Sequence, residues 1–65
     1  MTRSGGATQG ERLYSIEEVA RLWSTSRDLV ERLMSRRELR YVMVGSRRRI
    51  PASALEEYVA ARSEG

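Results

Sequence analysis

The 65-residue chain has no cysteine, no histidine, no phenylalanine and no lysine. Without cysteine there are no disulfides and no thiolate metal sites. Without histidine there is no imidazole to serve as a general base or to ligate zinc. Serines are present, but nothing is available to activate one, and no group of carboxylates is spaced to hold a metal. No enzymatic activity, cofactor, metal or small-molecule ligand is therefore expected. No apolar run approaches the ~20 residues that span a bilayer, and the N-terminus lacks the apolar segment of a signal peptide. The expectation is a cytoplasmic protein with no membrane partner. Sixty-five residues also make a single small domain, one that buries only about 60% of the surface its unfolded chain exposes.

What the chain has instead is arginine. Twelve basic residues, all arginine, stand against nine acidic ones, for a formal charge of +3. That excess is small, and its placement says more. From Arg27 to Arg49, eight arginines face only Asp28, Glu31 and Glu38, a local excess of five positive charges. The all-arginine choice has two readings, planar bidentate recognition of phosphate and guanine or a GC-rich coding sequence.

Residues 1–11, "MTRSGGATQGE", are rich in Gly, Ser and Thr and read as a flexible leader. The alternative, an ordered DNA-binding arm, rests on Arg3 and Arg12. Residues 63–65 read as a frayed end, which leaves 12–62 as the folded domain. Ser15 and Glu18 have the spacing of a capping box, and Ile16, Val19, Ala20 and Trp23 follow the i, i+3, i+4, i+7 rule for one apolar helix face, widened by Leu22. "STS" (24–26) then interrupts the helix, and Ser26 is the expected N-cap of a second helix over roughly 27–36. Leu29, Val30, Leu33 and Met34 form its apolar side. Asp28, Glu31, Arg32 and Ser35 lie opposite, with Arg27 and Arg36 on the flanks.

After Leu39 the pattern alternates. Val42 and Val44 fall on one face and Tyr41 and Met43 on the other, with Ile50 rejoining the inner face. Gly45-Ser46 suits a two-residue type II′ hairpin turn, and Pro51 ends the return strand. A last helix is expected over 52–62, with Leu55, Tyr58 and Val59 apolar and Glu56 and Glu57 facing water. The resulting class is mainly α with a small β-hairpin: a winged helix-turn-helix.

In that frame "SRRR" (46–49) sits at the tip and on the return strand of the wing. Arg47 and Arg49 share one face; Arg48 is on the side of Ile50 and is expected to snorkel outward near the tip. One reading is a solvated edge that charge protects from aggregation. Beside a basic helix-turn-helix the favoured reading is contact with DNA, the helix in the major groove and the wing over the backbone or minor groove. Ser26, Arg27 and Asp28 open the second helix, where base edges and a phosphate are within reach. Arg27 and Arg32 carry most weight, because arginine can be bidentate to guanine. Asp28 and Glu31 either accept from cytosine or position an arginine. The i, i+4 pairs Arg27–Glu31 and Asp28–Arg32 also allow plain surface pairing. Arg36 and Arg37 are candidate phosphate contacts. Trp23 reads as core rather than as a stacking platform, and Tyr14, Tyr41 and Tyr58 as core or rim.

The stretch "LYSIEEVARLWSTSRDLVERLMSRRELRYVMVGSRRRIPASALEEYVA", residues 13–60, resembles the excisionase-type winged helix-turn-helix, related to the DNA-binding heads of MerR-like regulators. Its marks are "LYSIEEVA", the helix after "STS", and "VGSRRRIPASALEEYV". The resemblance implies a recombination directionality factor that binds double-stranded DNA beside the attachment sites of a phage or integrative element in a bacterial host. Such a protein bends the DNA, associates with itself along it, and directs a tyrosine integrase toward excision. On that pattern Ser26, Arg27, Asp28, Glu31 and Arg32 hold the recognition-helix positions, and Ser46, Arg47, Arg48 and Arg49 the wing. The sequence departs from the family where Ser24 replaces a usual turn glycine and where Arg37 replaces a glycine before "EL". A chain that stops at residue 65, without a coiled coil or sensor region, is expected to be an architectural accessory; a small MerR-like transcriptional regulator is the alternative, and a protein-interaction module a more distant one.

Overall fold

In the computed structural model, which describes residues 11–63, the chain runs β1 (Leu13–Tyr14), α1 (Ile16–Leu22), α2 (Arg27–Ser35), β2 (Val42–Val44), β3 (Arg47–Pro51) and α3 (Ala52–Arg62). The three strands form one antiparallel sheet in the order β1-β3-β2, and the architecture is a small winged helix-turn-helix. The leader expected over residues 1–11 lies outside the described residues except for Glu11, which belongs to the folded part. Of the C-terminal tail only Ser63 is described, as the C-cap of α3.

Both helices of the helix-turn-helix begin as their sequence dictates. The Ser15 hydroxyl accepts from the Glu18 amide at 3.1 Å and the Glu18 carboxylate accepts from the Ser15 amide at 2.9 Å, closing the capping box. That bond from the Ser15 amide holds the Glu18 carboxyl below its ordinary pKa. Ser26 caps α2 through the Leu29 amide at 3.2 Å. Their ends are alike as well. After α1, Ser24 N–H donates to Arg21 C=O and Thr25 N–H to Ala20 C=O; after α2, Arg37 N–H donates to Met34 C=O and Glu38 N–H to Leu33 C=O. Both are Schellman motifs, which require a left-handed residue just past the cap. Ser24 has φ +54° and Arg37 φ +63°. The two positions where the sequence departs from a family glycine are thus the two that glycine would occupy without steric cost. Ser24→Gly is expected to raise stability by about 0.5–1 kcal/mol in chemical denaturation, and Arg37→Gly by a similar amount.

The core is formed by Ile16, Val19 and Ala20 of α1, Val30, Leu33 and Met34 of α2, Leu39 of the loop, Ile50 of β3 and Ala54 of α3. Tyr14, Trp23, Leu29, Leu55 and Tyr58 pack against it half-buried. Trp23 stacks on Tyr58 at 5.0 Å between ring centroids, which ties the end of α1 to α3. Arg62 lies over the other aromatic surface, 4.0 Å from the Tyr58 centroid. Leu22 and Val59, expected on apolar faces, are instead 57% and 53% exposed. Helices of 7 and 11 residues on so small a core bury a narrow stripe, and these two side chains fall outside it.

The wing also differs from the expected pattern. Val44 opposes Arg47, Met43 opposes Arg48 and Val42 opposes Arg49. Opposed residues of an antiparallel pair share a face. Ile50, two residues on from Arg48, therefore lies on the face of Met43, not with Val42 and Val44. The two-residue turn sets this parity: Gly45 has φ +64° and Ser46 is not left-handed, as a II′ turn needs. All three β2 residues are exposed, because the hairpin projects beyond the helices.

A third strand, β1, was not expected. Leu13 pairs with Pro51 and Tyr14 with Ile50, so Pro51 ends the ladder beside the chain's own N-terminal segment. Pro51 offers α3 no side-chain cap, and residues 11 and 12 supply the missing acceptors. Arg12 C=O accepts from the Ala52 amide at 2.9 Å, and the Glu11 carboxylate accepts from the Ser53 amide at 2.6 Å. Its hydrogen bonds to Ser53 lower the Glu11 pKa.

Candidate nucleic-acid interface

The charged surface divides the eight arginines of the Arg27–Arg49 stretch into two sets. Four are occupied by carboxylates. Arg27 reaches Glu17 at 2.9 Å and Glu31 at 3.0 Å, Arg48 reaches Glu31 at 3.7 Å, and Arg36 reaches Glu38 at 3.4 Å. Arg40 forms a forked pair with Glu57 at 3.1 and 3.2 Å and donates to the Ser53 hydroxyl at 2.9 Å. The hydrogen bonds it donates to Glu57 push the Arg40 pKa above that of an ordinary guanidinium. Arg40 thus fastens the α2–β2 loop to α3, as Arg62 does by pairing with Glu38 at 2.8 Å.

Among the described residues, Arg32, Arg37, Arg47 and Arg49 have no carboxylate partner. Arg49 donates to the backbone carbonyl of Arg48. Asp28 is exposed and likewise unpaired, so of the two possible i, i+4 pairs on α2 only Arg27–Glu31 forms. Arg32 is left free.

The residues expected from the sequence therefore come together in part. Ser26 spends its hydroxyl on the cap, while Arg27, Asp28, Glu31 and Arg32 project from α2 near its N-terminal half. An ion pair, Arg48 to Glu31, links the wing to them, so Arg48 does emerge near the tip but inclines toward α2 instead of standing free. Ser46 and Arg47 occupy the exposed turn and the first position of β3. Arg47 and Arg49 share the other face of the hairpin with Val44 and Val42. Arg36 and Arg37 lie at the far end of α2.

Sequence reasoning left open what Glu31 does; the structure places it against two arginines from two elements. The long-range partners, Glu17 to Arg27, Glu57 to Arg40 and Glu11 to Ser53, carried no local signal. No helix among the described residues is long and apolar enough to cross a membrane, and no group of acidic side chains among them is arranged to hold a metal.

The helix-turn-helix domain family matches residues 13–63. The chain belongs to that family. No curated protein and no solved structure matches it. The match spans the whole arrangement of α1, α2, wing and α3. A helix-turn-helix domain of this family, which includes excisionase-like DNA-binding proteins and is typically non-enzymatic, implies double-stranded DNA as its partner.

Proposed function

We propose that this helix-turn-helix domain is an excisionase-type architectural protein. It binds repeated sites near the attachment sequences of a phage or integrative element, bends the DNA, and directs a tyrosine integrase toward excision. The observation that carries the DNA-binding geometry is the convergence of Arg27 from α2 and Arg48 from the wing on one Glu31 oxygen. Two elements that address one anionic oxygen can straddle one phosphate strand, with α2 in the major groove. In that arrangement Ser26, Arg27, Asp28, Glu31 and Arg32 form the recognition surface of α2, with Arg27 on the shared phosphate and the others toward base edges; Ser46, Arg47, Arg48 and Arg49 serve the wing, and Arg36 and Arg37 contact phosphates.

Among the described residues Arg37 has no carboxylate partner, and it holds a left-handed φ of +63° that glycine adopts without strain. Arg37→Gly is therefore expected to separate two properties. It should stabilise the fold while flattening the salt dependence of DNA binding by about 0.9 in slope, the value of one phosphate contact. Ser24→Gly should stabilise without altering binding.

One winged domain buries a small interface and binds an isolated site weakly, so occupancy depends on neighbours on adjacent sites. The exposed apolar run Val42–Val44 on the edge strand β2 offers a surface for such contact.

The test is a quantitative gel shift on the attachment region, the protein's own promoter, and scrambled DNA of equal length. Stepwise cooperative complexes on the attachment region alone are expected. Preference for the promoter would make the protein a small MerR-like transcriptional regulator, and independent binding of single copies to an isolated site at nanomolar affinity would sink the architectural reading.

A further inference from the structure

Arginines of α2 and of the wing meet on one carboxylate oxygen. Arg27 Nη2 lies 3.0 Å from Glu31 Oε2 and Arg48 Nη2 lies 3.7 Å from the same atom. The other guanidinium nitrogen of Arg27 is held by Glu17 at 2.9 Å. An anionic oxygen between guanidinium groups from helix and wing is what a non-bridging phosphate oxygen becomes when both elements grip one strand. All the groups are partly solvated, with side-chain exposures of 51% for Arg27, 39% for Arg48 and 36% for Glu31. Each pair is therefore weak enough to exchange.

Resting on the DNA-binding reading above, we propose that Glu31 is a specificity-determining residue. In the free protein it holds the place of a backbone phosphate, and DNA must displace it to engage Arg27 and Arg48. The displaced carboxylate remains on the DNA-facing surface of α2. Beside phosphates alone it is an unpaired anion in a negative field, and the exchange of one ion pair for another gains little. Where the major groove presents the amino group of a cytosine, the carboxylate has a donor to accept from, and the displacement is offset. Scrambled DNA therefore leaves Arg27 and Arg48 largely on Glu31, while a preferred site recruits both.

Glu56 provides the internal control. It lies on α3, is exposed, and has no ion-pair partner among the described residues. Glu56→Gln and Glu31→Gln make the same change in net charge, but only the second releases arginines.

Wild type and both variants are titrated with scrambled duplex and with the fragment preferred in the gel shift, each at several salt concentrations. Glu31→Gln is expected to tighten binding to scrambled duplex about tenfold and to steepen its salt slope by one to two units, since each recruited arginine adds about 0.9. The preference for the selected fragment should shrink by a similar factor. Glu56→Gln should shift scrambled binding less than about threefold and leave the slope unchanged, as a general charge effect would. Without DNA, Glu31→Gln should also release the wing, so that the amide hydrogens of Val42 and Val44, the ones on β2 that face β3 in this register, exchange severalfold faster while those of α1 keep their rates.

Equal shifts for the two variants, with a normal wild-type salt slope, would overturn the role of Glu31 and leave DNA binding standing. Wild-type binding without salt dependence would remove the DNA-binding reading itself, and this inference with it. Wing exchange unchanged in Glu31→Gln would show that Glu31 does not hold the wing, and would overturn the proposal even if net affinity rose.

Discussion

Ile50→Ala is expected to cost about 2–4 kcal/mol, the range for truncating a fully buried aliphatic side chain. Ile50 is 0% exposed and lies where the parts of the fold meet. Its strand β3 pairs with both β1 and β2, and it belongs to a core that draws on all three helices. Small neighbours such as Ala20 and Ala54 cannot expand into the space left, so the cavity term adds to the lost transfer energy. A domain of this size has roughly 3–10 kcal/mol of total stability, so the substitution removes a large share of it. Thermal unfolding followed by circular dichroism should show a midpoint lower by on the order of 10–30 °C. Leu22→Ala and Val59→Ala, both at exposed positions, should each stay within about 0.5 kcal/mol of wild type. A loss at Leu22 or Val59 as large as that at Ile50 would mean that these side chains are covered in solution, contrary to the fold described here.

Those three residues also mark how far the sequence was readable. Helical periodicity located α1, α2 and α3 and most of the core, because a repeat of 3.6 residues survives in any window of two turns. It could not locate the edge of the buried stripe. Leu22 and Val59 satisfy the pattern as well as Val19 does, and only the width of the opposing surface decides which are covered. Strand β1, two residues long, is too short for any periodicity, and its pairing with β3 depends on a contact across 37 positions, Leu13 with Pro51. The face carried by Ile50 was decidable in principle, since a two-residue turn fixes which positions oppose each other. Alternation along β2 alone does not contain that information.

The same holds at the candidate site. Arginine density singled out the candidate region, and cap chemistry at Ser26 located the start of α2. The glycine-to-Ser24 and glycine-to-Arg37 departures coincide with the two left-handed positions, a backbone property read from residue type alone. Which arginines are already occupied was not legible. Glu17 to Arg27, Arg48 to Glu31 and Arg40 to Glu57 are pairs between different elements, set by how α1, α2, α3 and the wing dock. Eight arginines that look equivalent along the chain are thereby separated into bound and free.

That separation shapes the largest expected effect on binding, the replacement of Arg47 and Arg48 together by alanine. If five or six arginines contact phosphates, the slope of log K against log salt should be about −5, from −0.9 per contact. Arg47 stands exposed at the start of β3 with no carboxylate partner among the described residues, and Arg48 pairs the wing with α2. Removing both should flatten the slope by about two units on the preferred duplex and by about one on the scrambled duplex, where Arg48 stays largely on Glu31. The fold should survive, since the one ion pair lost is a surface pair worth less than about 1 kcal/mol. Arg32→Ala should behave in the opposite way. Arg32, on the exposed side of α2, has no ion-pair partner among the described residues, and its loss should relax preference at one base pair by about 1–3 kcal/mol with a smaller change in slope. Salt titrations of the double variant and of Arg32→Ala against the same two duplexes measure both quantities. A double variant that keeps the full slope would make the triple arginine a solvated strand edge, and the DNA contacts would then have to be sought on α2 alone.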